Sequence, residues 1–249
     1  MPRIAVFLLL VCLPGAAATQ ENTFTPHHVS KLRAVMSAVV SPDGKQIAYV
    51  LAVPRNIPKE ANGTAWTELH VVDTNGVNTP YLTGPVNVDA VAWTPDGSGI
   101  SYLAKRDKEE HRSLYIMPLR GGESRKVLSH STDIQSYSWA PDGKRVAFLA
   151  TVPLSKEKKK RADEGFNQEI YEEDAKFQRV FVATLFDESA NPHALAIDGH
   201  VHQVRWNPTN ETLLVSTAPT PLVDDQYMAQ TVKVVGGSRW IAAFRPSGP

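Results

Sequence analysis

Ser41-Pro42-Asp43-Gly44, followed by KQIAYVL at 45–51, is the first of four related segments in the 249-residue chain. The other three are Thr94-Pro95-Asp96-Gly97 with SGISYLA, Ala140-Pro141-Asp142-Gly143 with KRVAFLA, and a diverged Asn207-Pro208-Thr209-Asn210 with ETLLVST. Proline suits the second position of a tight turn, aspartate bonds to nearby backbone, and glycine accepts positive φ. Each segment is therefore predicted to form a β-hairpin.

The strand that follows each turn is apolar at nearly every position, as in Ile47-Ala48-Tyr49-Val50. A strand with only one buried face would alternate between apolar and polar residues. We therefore expect these strands to be buried on both faces, in sheets sandwiched between two others.

Tryptophan occurs two residues before the proline in three copies, at Trp93, Trp139 and Trp206. A shared repeat position favours core packing over a ligand platform.

Further apolar segments that read as strands follow each hairpin, so each repeat is predicted to contain about four short strands. The motif prolines are 53, 46 and 67 residues apart, and a propeller blade usually takes about 40–50 residues. The sequence therefore predicts an all-β chain, an incomplete β-propeller of about four four-stranded blades. Their predicted bounds are 34–84, 85–130, 131–196 and 197–235, with an irregular tail at 236–249 in place of a last strand.

The third repeat carries a charged insertion at 155–176, which includes Lys158-Lys159-Lys160-Arg161. A solvated loop is the favoured interpretation of such a run. Across the chain 26 basic residues balance 26 acidic ones, unlike the basic surface of a nucleic-acid-binding protein.

The first eighteen residues have the pattern of a signal peptide: Arg3, a short apolar run, and Ala16-Ala17-Ala18 before the cleavage point. The run is too short to span a membrane, and Val11 before Cys12 disfavours a lipoprotein signal. We expect export to the periplasm or cell exterior, and no membrane association after cleavage. Residues 19–33 follow as a separate segment with a short helix, capped by Thr25 with Pro26 at its first position.

This helix, placed just before SPDGKQIAYV, resembles the start of the prolyl oligopeptidase (S9) family of serine peptidases, in its acylaminoacyl-peptidase and dipeptidyl-peptidase branches. Residues 169–174 leading into 179–182, and residues 218–225, are also similar to that family. Together these features cover most of residues 24–235. TolB-like propellers share the turn repeat and are the second resemblance.

In the S9 family the propeller caps an α/β-hydrolase domain that supplies the catalytic serine. A nucleophile elbow needs Gly-x-Ser-x-Gly, and none occurs in the 249 residues. We therefore expect no catalytic residue and no peptidase activity from this chain alone. The resemblance implies that this chain controls the access of short peptides to an active site, and that the α/β-hydrolase domain is its missing partner. A stand-alone periplasmic protein-binding propeller is the alternative, and a fragment without function is a third.

The resemblance also suggests one substrate-binding pair, Glu172 and Glu173. In dipeptidyl peptidases paired glutamates bind the free amino terminus of the substrate, through charge-assisted hydrogen bonds; a solvated acidic surface is the alternative. His200 and His202 are predicted on one face of a strand without the further ligands that a metal requires. Asp224-Asp225 is expected in a loop and not in a calcium site. No cofactor and no metal site is predicted.

Overall fold

A computed structural model describes residues 23–56, 59–106, 108–153, 156–166, 168, 175–187, 191–209, 211–236 and 239–244. The chain divides into two compact units, residues 1–32 and 33–249. The first unit contains one helical turn, α1 (Pro26–Val29), with Pro26 at its start. Here the amide of Thr25 donates to Nδ1 of His28 at 3.1 Å, which closes the turn at its amino end.

The second unit forms four antiparallel sheets, each made of four consecutive strands, in the part of the chain that the structure describes. We call them blades 1 to 4. Blade 1 contains β1 (Ala34–Val40), β2 (Gln46–Val53), β3 (Trp66–Asp73) and β4 (Asn78–Leu82). Blade 2 contains β5 (Asp89–Trp93), β6 (Gly99–Ala104), β7 (Ser113–Pro118) and β8 (Arg125–Leu128).

Blade 3 contains β9 (Ile134–Trp139), β10 (Arg145–Thr151), β11 (Gln178–Thr184) and β12 (His193–Ala194). Blade 4 contains β13 (His200–Trp206), β14 (Thr212–Ala218), β15 (Thr231–Gly236) and β16 (Arg239–Phe244). Two helices lie in connections: α2 (Lys156–Asp163) between β10 and β11, and α3 (Val223–Met228) between β14 and β15. Strands neighbouring in sequence are neighbours in each sheet, so every connection within a blade is a hairpin.

The Pro-Asp-Gly turns form as their chemistry predicts. In the first copy the amide of Gly44 donates to the carbonyl of Ser41 at 2.9 Å, and Gly44 has φ of +72°. The Asp43 Oδ1 atom accepts from the Ser41 hydroxyl at 2.7 Å and from the Lys45 amide at 3.1 Å. The backbone and side-chain bonds of this turn are thus made by residues within the turn itself.

Successive blades are joined by buried apolar clusters. One cluster links blades 1 and 2, a second links blades 2 and 3, and a third links blades 3 and 4. Along β6 the side chains of Ile100 and Tyr102 belong to the cluster shared with blade 1, whereas Leu103 belongs to the one shared with blade 3. No buried cluster joins blades 4 and 1 among the described residues. On the faces turned away from these clusters, Ile47 of blade 1 and Leu214 of blade 4 are 40% and 47% exposed.

Burial on both faces is confirmed for β6, which is buried at every position, and for the middle of β10. For β2 the expectation is wrong: Ala48 is fully buried, but Ile47 is 40% exposed. The reason is position in the stack. Blade 1 has a neighbouring blade on one face only, so a strand of the same composition is half covered.

Three further expectations differ from the structure. The predicted irregular tail contains β16, which pairs with β15 and gives blade 4 its fourth strand. The charged insertion, expected as a loop, contains the eight-residue α2. Asp224 and Asp225, also expected in a loop, lie in the first turn of α3, where acidic side chains favour the helix dipole.

Candidate functional site

The first strand of every blade borders one cavity of about 410 Å³. The lining residues are Val39 of β1, residues 90–92 of β5, Ser136 and Tyr137 of β9, and residues 202–205 of β13. Residues far apart in the sequence meet here because each blade presents the same strand to the centre. We call this space the axial cavity.

Each of these first strands contains a β-bulge. In blades 1, 3 and 4 the extra residue lies six positions before the motif proline, at Met36, Gln135 and His202. In blade 2 the bulge falls at residues 90–91, where Ala90 has φ of +49°. A bulge breaks the alternation of a strand and redirects a side chain. The bulges therefore form a second structural repeat, beside the turn motif, around the axial cavity.

Cationic and neutral hydrogen-bonding groups face the axial cavity from β13. Gln203 and Arg205 are exposed, and neither side chain makes a hydrogen bond or ion pair within the described ranges. The Nε2 atom of His202 is buried and has no hydrogen-bond partner in that same part of the chain. Buried polar atoms are usually paired, so a buried nitrogen without a partner among the described residues is unusual.

His200 lies beside the bulge and is buried. Its ring centroid is 4.6 Å from that of His202, and its Nδ1 accepts a hydrogen bond from the amide of Gln178 at 3.2 Å. Burial, then the nearby His202 and Arg179, lower the pKa of His200 to about 4. At neutral pH His200 is an uncharged acceptor that holds β13 against the start of β11.

The carboxylate nearest in sequence to the cavity lining is engaged elsewhere. Asp89 accepts from an Nη1 donor of Arg112 at 3.0 Å, and Nη2 of the same side chain donates to Oε1 of Gln135 at 2.7 Å. Arg112 thus connects the bulged ends of β5 and β9, in blades 2 and 3. Within the described ranges, the residues that line the axial cavity include no aspartate and no glutamate.

The motif tryptophans pack in the core, as the sequence predicts, and the structure places them between blades. The Nε1 atom of Trp93 donates to the Val39 carbonyl at 2.9 Å, and Nε1 of Trp139 donates to Oγ of Ser101 at 2.8 Å. Each indole therefore reaches back to the preceding blade. Trp206 is equally buried, but its Nε1 has no partner in the described residues.

Glu172 and Glu173, the predicted substrate-binding pair, lie outside the described residues. The strands that flank their segment are described: Ala150 pairs with Ile134, and Thr151 with Gln178. The connection that carries both glutamates therefore leaves and rejoins blade 3 at the end where β9 is bulged.

In the described part of the chain no three His, Cys, Asp or Glu side chains lie close enough to hold a metal ion. The carboxylate of Asp225 instead accepts from the Thr220 hydroxyl at 2.5 Å. Across the described ranges, no helix combines the length and apolar character needed to cross a bilayer.

Sequence reasoning missed Gln203 and Arg205 as site residues. Neither belongs to a recognisable motif, and their shared cavity exists only when four first strands meet. Alignment of the repeats contains one signal. Gln203 and Arg205 precede the diverged fourth motif at the positions that residues 90 and 92, which also line the cavity, have before the second motif.

No protein-family profile and no curated protein sequence matches this chain. Solved structures do. Acylaminoacyl peptidase from Pyrococcus horikoshii is similar with a TM-score of 0.61 and 12% identity, over 88% of this chain and 33% of that chain. TolB from Acinetobacter baumannii is similar with a TM-score of 0.54 and 16% identity, over 84% of this chain and 42% of that chain.

A prolyl endopeptidase structure gives a TM-score of 0.50 and 17% identity, over 84% of this chain and 28% of that chain. The chain thus spans less than half the length of each of these proteins. At such identities the similarity shows the fold. The predicted fold class is confirmed: this chain forms four blades of a β-propeller, of the kind found in S9 peptidases and in TolB.

Proposed function

We propose that this chain is the non-catalytic propeller portion of an exported S9-type serine peptidase, and that it controls which substrates reach the hydrolase domain. The observation that supports this most is the axial cavity, bordered by the first strand of all four blades. The fold is shared with acylaminoacyl peptidase, of which it covers about a third.

The size of the axial cavity favours short peptides as the substrates. Its volume of about 410 Å³ lies in the range of small-ligand sites. A folded domain of about 100 residues has a radius of gyration of about 13 Å and cannot enter such a space. A propeller of this kind therefore acts as a sieve, which passes extended peptides and excludes folded proteins.

Under this proposal the chemistry belongs to a separate α/β-hydrolase domain, because the 249 residues contain no Gly-x-Ser-x-Gly. Residues 1–18 would direct export and then be removed. Glu172 and Glu173 would bind the amino terminus of the peptide, from a connection that starts beside the bulge of β9. Two carboxylates suit an ammonium group through charge-assisted hydrogen bonds.

A second candidate is a stand-alone protein-binding propeller like TolB. It is favoured by the uncovered face of blade 1, where Val40 and Ile47 pair across β1 and β2 and are 62% and 40% exposed. Exposed apolar patches mark protein-interaction surfaces. The same face would be covered by another blade in a longer propeller, as the first candidate requires.

Titration calorimetry separates the two candidates. The purified chain is titrated with Ala-Ala-Ala, with a six-residue peptide, and with small folded domains of about 100 residues. The peptidase-type propeller should bind the two peptides and none of the folded domains. Binding to a folded domain, lost on Ile47→Glu, together with no binding of the peptides would contradict it and support the TolB-like candidate.

The gene provides an independent check. A region that encodes alternating strands and helices with Gly-x-Ser-x-Gly, in frame with or frameshifted from codon 249, is expected under the first candidate. Continuation into unrelated sequence, or a well-supported stop, would count against it.

A further inference from the structure

We propose that the axial cavity binds the terminal carboxylate of a short peptide, with Arg205 as the anchoring cation and Gln203 as a second donor. This inference rests on the proposed function and deepens it, because it states which end of the peptide the cavity holds. It is argued from the charge, the hydrogen-bonding capacity and the shape of the lining.

The lining has one permanent charge. Among the described lining residues, Arg205 is the one that is always ionised, and none of them is a carboxylate. Asp89, the nearest acid in sequence, is held by Arg112. An α-carboxyl group has a pKa of about 3.5 and is ionised at neutral pH. An uncompensated guanidinium beside a concave apolar surface therefore selects an anionic group.

Hydrogen-bonding capacity points the same way. On β13 Gln203 pairs with Ser216, and Arg205 pairs with Leu214, so the two side chains project from the same face. Residues two apart on a strand are about 6.6–7 Å apart, which lets both side chains approach one carboxylate. Arginine binds carboxylates in a bidentate manner, and the Gln203 amide supplies a further N–H donor.

The remaining lining is suited to the rest of a peptide. Val39 and residues 90–92 supply small apolar residues to the lining, and Tyr137 is buried beside them. The Nε2 atom of His202, which has no partner among the described residues, adds a nitrogen to this lining. A peptide with a small or apolar last residue would place its side chain there and its carboxylate at Arg205.

The test uses three capped peptides that differ only in their carboxylate. They are acetyl-Ala-Ala-Ala with a free acid, the same peptide as an amide, and acetyl-Ala-Glu-Ala amide, whose carboxylate is on a side chain. Titration calorimetry of the full chain should give tighter binding of the free acid than of either amide, by about tenfold to a hundredfold. Equal binding of the glutamate peptide and the free acid would overturn the assignment to the peptide terminus.

Two variants and a control identify the anchor. Arg205→Gln should abolish the preference for the free acid, and Arg205→Lys should retain part of it, because the charge remains while the bidentate geometry is lost. The control is Arg120→Gln, which removes the same charge from an exposed position after β7. An acid preference that survives in Arg205→Gln would overturn the proposal.

The two proposals fail in different ways. Equal binding of the acid and amide forms, with folded domains still excluded, would refute the carboxylate site and leave the sieve intact. Failure of every short peptide to bind would refute both. Arg205 is exposed, so its variants should retain the wild-type melting temperature, and that measurement verifies that a lost preference is not lost folding.

Discussion

Ser101→Ala should destabilise the chain far more than the loss of one hydroxyl suggests. Ser101 lies on β6, fully buried between blades 2 and 3. Its Oγ accepts from the Tyr137 hydroxyl and from Trp139 Nε1, each at 2.8 Å, and donates to the Ala92 carbonyl at 3.0 Å. Every hydrogen-bonding position of this hydroxyl is therefore occupied.

The substitution leaves two donors without an acceptor in the contact between the blades. Burial raises the pKa of Tyr137, so its hydroxyl stays protonated and remains a donor. An unsatisfied buried polar group costs about 1–3 kcal/mol. Two such groups give an expected loss of about 2–6 kcal/mol in the free energy of unfolding. In a domain of this size that corresponds to a fall in melting temperature of about 4–24 °C.

Urea denaturation followed by tryptophan fluorescence measures this loss. Tyr137→Phe removes one of the two donors that lose their acceptor, so the double variant should recover part of the stability lost by Ser101→Ala. A double-mutant cycle gives the coupling energy between Ser101 and Tyr137. The control is Ser98→Ala, an exposed serine in the turn of the same hairpin, which should cost less than about 1 kcal/mol. A Ser101→Ala variant within about 0.5 kcal/mol of wild type would refute the reasoning.

Ala147→Ser should stabilise the chain. Ala147 lies six residues after Pro141, the repeat position that Ser101 has in blade 2. In the next blade, Nε1 of Trp206 has no hydrogen-bond partner among the described residues. A new acceptor there is expected to add about 1 kcal/mol, seen as a higher urea midpoint, whereas Ala150→Ser on the same strand should lower it. Acid should destabilise the wild type through His200. Burial lowers its folded pKa to about 4, below the unfolded value of about 6.5, so the unfolded state binds more protons between these values. The contribution of neutral His200 to the free energy of unfolding, about 1–3 kcal/mol, is fully present above pH 6.5 and is lost as the pH falls towards 4. His200→Gln, measured from pH 7.5 to 4.5, should flatten that dependence; an unchanged slope would contradict the assignment.

The turn repeat was readable from sequence because its physics is local. Pro42, Asp43 and Gly44 set their own backbone angles and hydrogen bonds within a few residues. Three well-preserved copies at blade-like spacing then predict both the strands and their number. The prediction that the tryptophans pack in the core is also confirmed, since Trp93 and Trp206 are less than a tenth exposed.

Burial could not be predicted from the repeats alone. The strands β2 and β6 have nearly the same apolar pattern, yet Ile47 is exposed and Ile100 is fully buried. The difference is the presence of a neighbouring blade on the second face, which composition does not record. The helices α2 and α3 were missed for another reason: both are short and lie in connections between strands, where no apolar periodicity marks a helix.

The hairpins of this propeller follow from the amino-acid sequence, because each turn is closed by residues within five positions of one another. The axial cavity follows only from tertiary structure. It requires Val39, Tyr137 and Arg205 to meet across three blades, with bulges that redirect their strands. Such positions depend on the twist and packing of whole sheets, and no local signal in the chain encodes them.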